Sequence, residues 1–415
     1  GGGAAGMSAA LSIADQGYKV VLVEKEKDLG GNLKRLGWTC DGQDASKVLK
    51  DMIKKVKAHK NIDVLTNAQV ESVSGYVGNF TSTVSRGGKT DVINHGVVVL
   101  ATGGREYKPK AYAYGESTRV MTQLELEEKL SRGKAFLKNA KNVVMIQCVG
   151  SRGEDLTHCS RLCCTQAVKN ALKLKEVKPE LNIYVFYRDM RTYGFYEDLY
   201  REARKKGVKF IRYSVDKKPE VIKQSRGIKV KAYDELIGDY LEIPANLVVL
   251  STGIAPGENE ELSKIIKAPL TSEGFFLEAH AKLRPVEVAV DGVYLCGLAH
   301  GPKTLEESVA QAKAAAAKAT IPLAKGKVAV APIVSRVNQD LCIGCGICES
   351  LCPFNAITLE KVGKRKKAKT ITASCKGCGI CASHCPTIAI SMGGFTDEAI
   401  MAQIHAFSPD GCEEA

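Results

Sequence analysis

Eight of the fifteen cysteines in this 415-residue chain fall into two copies of one spacing. Cys342, Cys345, Cys348 and Cys352 stand in C-x2-C-x2-C-x3-C, closed by Pro353. Cys375, Cys378, Cys381 and Cys385 repeat it, closed by Pro386. Three cysteines at intervals of three wrap one [4Fe–4S] cubane within a single loop, and the fourth ligates the other cluster. The ligand sets therefore cross: Cys342, Cys345, Cys348 and Cys385 serve one cluster, and Cys375, Cys378, Cys381 and Cys352 the other. Gly344, Gly346, Gly377 and Gly379 suit the cramped loops. Zinc fits poorly, because four-ligand zinc sites use paired C-x2-C units and would leave cysteines over. His384, among the ligands, reads as a packing residue.

A second group, Cys148, Cys159, Cys163 and Cys164, is spaced C-x10-C-x3-C-C and matches no general metal rule. From the residues alone, buried structural thiols and a third cluster are equally good readings. Cys40, Cys296 and Cys412 are isolated; Cys296 reads as a core residue and Cys412 as a tail residue. Disulfides are the wrong class, since cysteine frameworks of that kind belong to short secreted chains.

Something must hold these groups and feed them electrons. Gly1, Gly3 and Gly6 form G-x-G-x-x-G, followed by a predicted helix over 4–16 closed by Gly17 and a buried strand over 20–23 that ends at Glu24. Glycines at these positions let the backbone approach a pyrophosphate at a helix N-terminus, and the acidic residue accepts hydrogen bonds from a ribose. That combination calls for a dinucleotide, FAD rather than FMN. A strand is also expected before Gly1, so the sequence reads as a fragment or a trimmed chain. Gly30 and Gly31 follow the acidic residue. Strands over 97–100 and 247–250 lead into Ala101-Thr102-Gly103 and Ser251-Thr252-Gly253, the turns of flavoproteins with two dinucleotide domains. A strand into Gly297 precedes a helix over 304–319 that carries Ser308 and points its N-terminus at the flavin, suiting the negative charge of the reduced ring. The Asp usual after that glycine is replaced by Leu298.

Residues 111–249 occupy the place of a nicotinamide domain. The strand over 143–146 is present, but the turn after it is Gln147-Cys148-Val149-Gly150-Ser151-Arg152-Gly153, with cysteine at the first needed glycine. NAD(P) binding is not expected there. The formal charge of +13 is scattered and no nucleic-acid motif accompanies it. Its densest stretch, Lys361 to Lys369, reads as a solvated loop. No apolar run approaches the ~20 residues of a membrane span, and a cytoplasmic protein is expected.

Longer stretches carry a resemblance. Gln147-Cys148-Val149-Gly150-Ser151-Arg152, Cys159-Ser160-Arg161-Leu162-Cys163-Cys164 and Lys169 resemble the A subunit of heterodisulfide reductase. So do Arg188-Asp189-Met190-Arg191-Thr192-Tyr193-Gly194 with Glu197 and Tyr200, Gly274-Phe275-Phe276, Lys282-Leu283-Arg284-Pro285-Val286, Gly301-Pro302-Lys303 and Glu307 to Ala312. The resemblance implies a thioredoxin-reductase-like α/β fold with two dinucleotide domains, followed by a small α+β two-[4Fe–4S] ferredoxin domain. It implies FAD in residues 1–110 and 250–325, a nicotinamide-domain-like segment in 111–249, the ferredoxin domain in 333–392 and a tail in 393–415. It further implies that Cys148, Cys159, Cys163 and Cys164 ligate a third [4Fe–4S] cluster, that Lys169 reaches the flavin N5 region (a solvent-facing lysine being the alternative), and that the protein performs flavin-based electron bifurcation. The partners implied are B- and C-like subunits, a hydrogenase or formate dehydrogenase module, ferredoxin and a second copy of the chain. An NAD(P)H-dependent flavin oxidoreductase and a non-catalytic electron-transfer scaffold are the rival readings.

Overall fold

A computed structural model describes residues 1–153, 155–225, 227–329 and 332–407; Cys412 lies outside the described residues. The chain enters helix Ala4–Ala14 directly from the glycine turn. The helix is rich in alanine on the face it turns to helix Leu305–Lys325, whose Ala312, Ala315, Ala316 and Ala319 are fully buried. Small residues on both sides let the two backbones approach closely, and this pair forms the centre of the first unit. The longer helix starts in a capping box, with Thr304 Oγ1 accepting from the Glu307 N–H and the Glu307 carboxylate accepting from the Thr304 N–H. It runs to Lys325, beyond the residue 319 expected, continuing through Pro322 and ending at left-handed Gly326.

Parallel pairs flank the two helices: strand Val20–Val23 with Ile62–Leu65, and Val98–Leu100 with Val293–Leu295. A three-stranded antiparallel sheet, Ala68–Tyr76, Asn79–Arg86 and Lys89–His95, covers the far side.

The second unit is a five-stranded parallel sheet in the order Lys209–Arg212, Asn182–Tyr187, Asn142–Val149, Leu247–Thr252, Val120–Thr122. Val143 to Ile146 are fully buried, as a strand covered on both faces requires. Helices Gln123–Arg132 and Leu162–Val177 cover one face; the antiparallel sheet Glu220–Gln224, Gly227–Asp234 and Asp239–Ala245 covers the other. The antiparallel pair Gly104–Glu106 and Ile254–Pro256 joins the two units.

The C-terminal unit has near two-fold internal symmetry. Strand Ser335–Val337 pairs with Ile390–Met392, and short helices Ile347–Leu351 and Ile380–Ser383 follow the two cysteine runs. The basic stretch expected as a loop is instead a hairpin, Ile357–Val362 against Arg365–Thr370, turning at left-handed Gly363. Its alternation decides this: Ile357 and Ala368 face the core while most of the lysines face water. Among the described residues no helix is long and apolar enough to cross a membrane.

Candidate functional site

The glycine turn is built by steric necessity. A Cβ on Gly1 would lie 2.2 Å from the Ala101 carbonyl oxygen, and one on Gly6 would lie 1.8 Å from that of Gly1. Gly3 differs: a Cβ there meets nothing within 4 Å. Gly3 caps the helix without any side-chain hydrogen bond, so no side chain of the cap competes for the first-turn N–H groups that a pyrophosphate would take. Gly31 approaches it, its ideal Cβ 3.3 Å from the Gly3 Cα, and Gly30 pairs with Gly3 as a bridge. Glu24 is buried, and its carboxylate accepts from the Gly2 N–H at 2.5 Å and the Glu26 N–H at 2.8 Å.

Other nucleotide-motif residues line the same unit. Thr102 Oγ1 hydrogen-bonds Asn259 Oδ1 at 2.9 Å, and Gly103 is left-handed. The Gly297 N–H donates to Gln311 Oε1 at 2.9 Å, and Ser308 Oγ donates back to the Thr304 carbonyl at 2.7 Å. Lys303 donates to the carbonyls of Gly297 and Gly301; burial lowers its pKa to about 8. Thr252 and Gly253 stand apart from this group. They pack on the second cysteine group, a Cβ on Gly253 lying 2.3 Å from Ser151 Oγ. Cys296 is fully buried in the alanine-rich core.

Cys148 is the penultimate residue of strand Asn142–Val149, with a left-handed φ of 60°. Cys163 and Cys164 occupy the first turn of helix Leu162–Val177, and Cys159 lies in the loop between. The four come together. Burial pushes the Cys163 thiol well up, and the sulfurs of Cys164, Cys148 and Cys159 push it the same way. Burial also raises Cys164 to about 11 and lifts Cys148. The Cys163 Sγ lies 3.6 Å from the Thr252 carbonyl, and the Cys164 Sγ 3.6 Å from that of Asp189. Around them Gln147, Ser151 and Thr165 carry buried polar atoms with no protein partner. Buried polar groups are rarely left unpaired. Four thiols beside orphaned donors at a helix N-terminus suit an anionic iron–sulfur cluster.

In the C-terminal unit a shallow pocket open to solvent is lined by Cys352, Cys375, Cys378 and Cys381. Cys342 and Cys348 share a buried cluster with Ile357, Ala368 and Ile390, against which Cys385 packs. Backbone N–H groups aim at the sulfurs: Ala356 at Cys352, Ala368 at Cys342, Ser335 at Cys375 and Ala389 at Cys385, at 3.2 to 3.4 Å. Such hydrogen bonds hold thiolates and set cluster potentials. Among the described residues no three His, Cys, Asp or Glu stand close enough to hold a single metal ion. A cubane spaces its ligands more widely than a zinc ion does. His384 is an exposed helix-end residue whose Nδ1 meets Ser383 Oγ and the Ile380 carbonyl, not a core packer. The unit touches the first one through Lys376 with Asp291, and through Lys267 Nζ donating to the Cys352 carbonyl at 3.2 Å.

Lys169 is buried, which removes the solvent-facing alternative. Its Nζ pairs with Glu127 at 3.0 Å, donates to the Trp38 carbonyl at 2.8 Å and lies over the Trp38 ring. The Glu127 carboxylate also accepts from the Gly37 N–H and Gln166. Cys40 borders this knot; burial and then Glu306 lift its thiol to about 12. Glu127, Arg161 and Asn259 are site-forming residues that the motifs do not mark as such. Glu127 had a signal: it sits three residues after Leu124 and three before Leu130, on the apolar stripe of its helix.

A 4Fe-4S dicluster domain model matches residues 335–392, and a pyridine nucleotide-disulphide oxidoreductase model matches residues 1–146. Two thioredoxin reductase crystal structures share the fold. The T. acidophilum enzyme has TM-score 0.53 and 18% identity, over 77% of this chain and 95% of that one. The Lactococcus lactis enzyme has TM-score 0.54 and 17% identity, over 78% and 97%. Fold and site together define an iron–sulfur flavoprotein oxidoreductase, with a thioredoxin-reductase-like frame, a flavin and [4Fe–4S] clusters.

Sequence relatives narrow this. The first of two iron-sulfur A subunits of the CoB--CoM heterodisulfide reductase of Methanopyrus kandleri is 36% identical over all of this chain and 77% of its own. The A subunit of the H(2):CoB-CoM heterodisulfide,ferredoxin reductase of Methanothermobacter marburgensis is 35% identical over 98% and 75%. The chain belongs to the family of heterodisulfide reductase A subunits.

Proposed function

We propose that this chain passes electrons between FAD and three [4Fe–4S] clusters. It does so as the bifurcating A subunit of a heterodisulfide-reductase-like complex, coupling a donor to reduction of ferredoxin and of a disulfide. The observation that carries this is the turn after strand Asn142–Val149. A nicotinamide domain keeps glycines there for a pyrophosphate; this chain places four thiols and three orphaned polar side chains there.

Bound FAD would supply the step from electron pairs to single electrons, and clusters carry one electron each. The protein's part is placement. Gly1, Gly3, Gly6, Gly30, Gly31 and Glu24 would hold the dinucleotide, with Thr102, Gly103, Gly297 and Ser308 around it. Thr252 and Gly253 face the internal cysteines. Cys148, Cys159, Cys163 and Cys164 would hold the third cluster. The crossed sets, Cys342, Cys345, Cys348 and Cys385 and then Cys375, Cys378, Cys381 and Cys352, would hold the other two. Lys169, buried and anchored by Glu127 near Cys40, is the residue proposed to reach the flavin N5 region. B- and C-like subunits, a hydrogenase or formate dehydrogenase module and ferredoxin are the proposed partners, in the cytoplasm and with the chain as a homodimer. The relatives' names support the ferredoxin and disulfide halves of this reading.

The test is anaerobic purification of the complex, with iron analysis and cluster EPR on wild type and Cys159→Ser. About twelve irons per chain, falling to about eight in the variant with the ferredoxin-type signals intact, is expected. Unchanged iron in the variant overturns the third cluster, and rapid flavin bleaching by NADH alone favours the nicotinamide-dependent reading.

A further inference from the structure

The stretch Arg188–Gly194, singled out in the sequence, lies outside every ligand set above, and it bridges the internal cysteine loop and the first unit. Its first residues grip the cysteine loop. Arg188 Nη1 donates to the Arg152 carbonyl at 3.2 Å, and Asp189 pairs with the Arg152 guanidinium at 2.7 Å. Its last residues reach the other unit. Tyr193 donates its hydroxyl to Glu307 Oε1 at 2.8 Å, and just beyond the stretch Tyr196 OH lies 3.2 Å from Thr304 Oγ1. Thr304 and Glu307 form the capping box of helix Leu305–Lys325.

Arg161 closes the bracket. It stands between Cys159 and Cys163, and its backbone is left-handed, with φ 57°. Nη2 donates to Glu307 Oε1 at 2.8 Å and to Tyr193 OH at 3.1 Å, and the guanidinium lies 5.0 Å from the centre of the Tyr193 ring. One carboxylate thus caps the helix with one oxygen and receives the cysteine loop with the other.

We propose that Arg161, with Tyr193, is a positioning residue that fixes the gap between the flavin and the third cluster by clamping the cysteine loop onto the first turn of helix Leu305–Lys325. This rests on the reading that the loop holds a cluster. The ion pair is half exposed, so its stabilising effect is small. Its consequence is geometric, because the rate of electron transfer falls exponentially with the gap between donor and acceptor.

The experiment compares wild type, Arg161→Gln, Arg161→Lys and Tyr193→Phe in the complex, by iron and flavin content, amide hydrogen exchange and stopped-flow transfer from flavin to clusters. Arg161→Gln is expected to keep its flavin and iron and to exchange faster at residues 162–165 and 304–308. Its transfer should slow severalfold. Arg161→Lys keeps the charge without the fork and falls between; Tyr193→Phe follows it. Unchanged transfer and exchange in Arg161→Gln, at full iron, overturn the clamp alone. Iron loss in Arg161→Gln also overturns it, by making Arg161 a cluster-retaining residue. About eight irons in wild type overturns the cluster reading and the clamp with it.

Discussion

The ammonium of Lys169 lies 3.0 Å from the carboxylate of Glu127, and both side chains are buried, Glu127 completely. The pair joins the helix that carries Cys163 and Cys164 to helix Gln123–Arg132. Through the Gly37 N–H and the Trp38 carbonyl it also holds the turn that leads to Cys40. Removing one partner strands a buried charge. Glu127→Ala is expected to destabilise the protein by about 3–5 kcal/mol. Glu127→Ala with Lys169→Met should cost less than the sum of the single changes. Denaturant unfolding of the four forms measures this, and additive costs would show that the two groups do not interact.

Gly3 separates folding from flavin binding. A methyl group at Gly3 meets nothing within 4 Å, whereas one at Gly6 would collide with the Gly1 carbonyl. Gly3→Ala should therefore lower flavin-free stability by no more than about 1 kcal/mol, the cost of alanine in place of glycine at a helix N-cap. It should weaken FAD by about tenfold or more, roughly 1.4 kcal/mol. Fluorescence titration with FAD checks it; unaltered affinity would place the pyrophosphate elsewhere.

Lys303 makes a prediction about pH. Burial lowers its pKa from 10.5 to about 8. Between those values the unfolded chain holds the proton that the folded chain has released, so stability rises with pH through this window. Below about 8 the cost of burying the charge is present in full. Lys303→Met should flatten the rise, and the difference between the two unfolding curves across the window isolates it. Parallel curves would count against the burial.

The iron–sulfur unit is joined to the first unit by charge. Lys376, next to Cys375, pairs with Asp291. Lys376→Glu should loosen the unit, raise trypsin cleavage within 326–334 and expand the particle in X-ray scattering. Asp291→Lys with Lys376→Glu should restore both. The pair contributes about 0.2–1 kcal/mol, so the same loosening is expected of wild type at high salt. Identical cleavage in the single variant and wild type would assign the docking to packing.

The parts of the fold read directly from sequence are those fixed by local chemistry. The strand over 20–23 and the glycine turn follow from apolar runs and steric demand; Ala4–Ala14 ends two residues before the expected 16, the difference being a frayed last turn. The pocket lined by Cys352 with Cys375, Cys378 and Cys381 joins residues far apart in sequence. The bracket is less legible. Arg161, Tyr193 and Glu307 stand in three separate motifs, because no local pattern records that a carboxylate 146 positions away will receive a guanidinium. The basic stretch reads as a loop because its charge is conspicuous, while the alternation that makes it a hairpin rests on a few small and aliphatic residues.

Among its described residues, the segment that carries the internal cysteines has three left-handed residues that are not glycine: Cys148, Arg152 and Arg161. Each such residue costs about 1–3 kcal/mol and persists only where its surroundings over-determine it. Here the surroundings are the Thr252 and Asp189 carbonyls, the Arg188 side chain and Glu307, supplied by other parts of the chain. The loop is therefore not portable. A designer who grafts the C-x10-C-x3-C-C segment onto another nucleotide-binding sheet inherits the strain without its supports, whereas the C-terminal iron–sulfur unit, whose sulfurs are held by its own backbone, can be moved as a block.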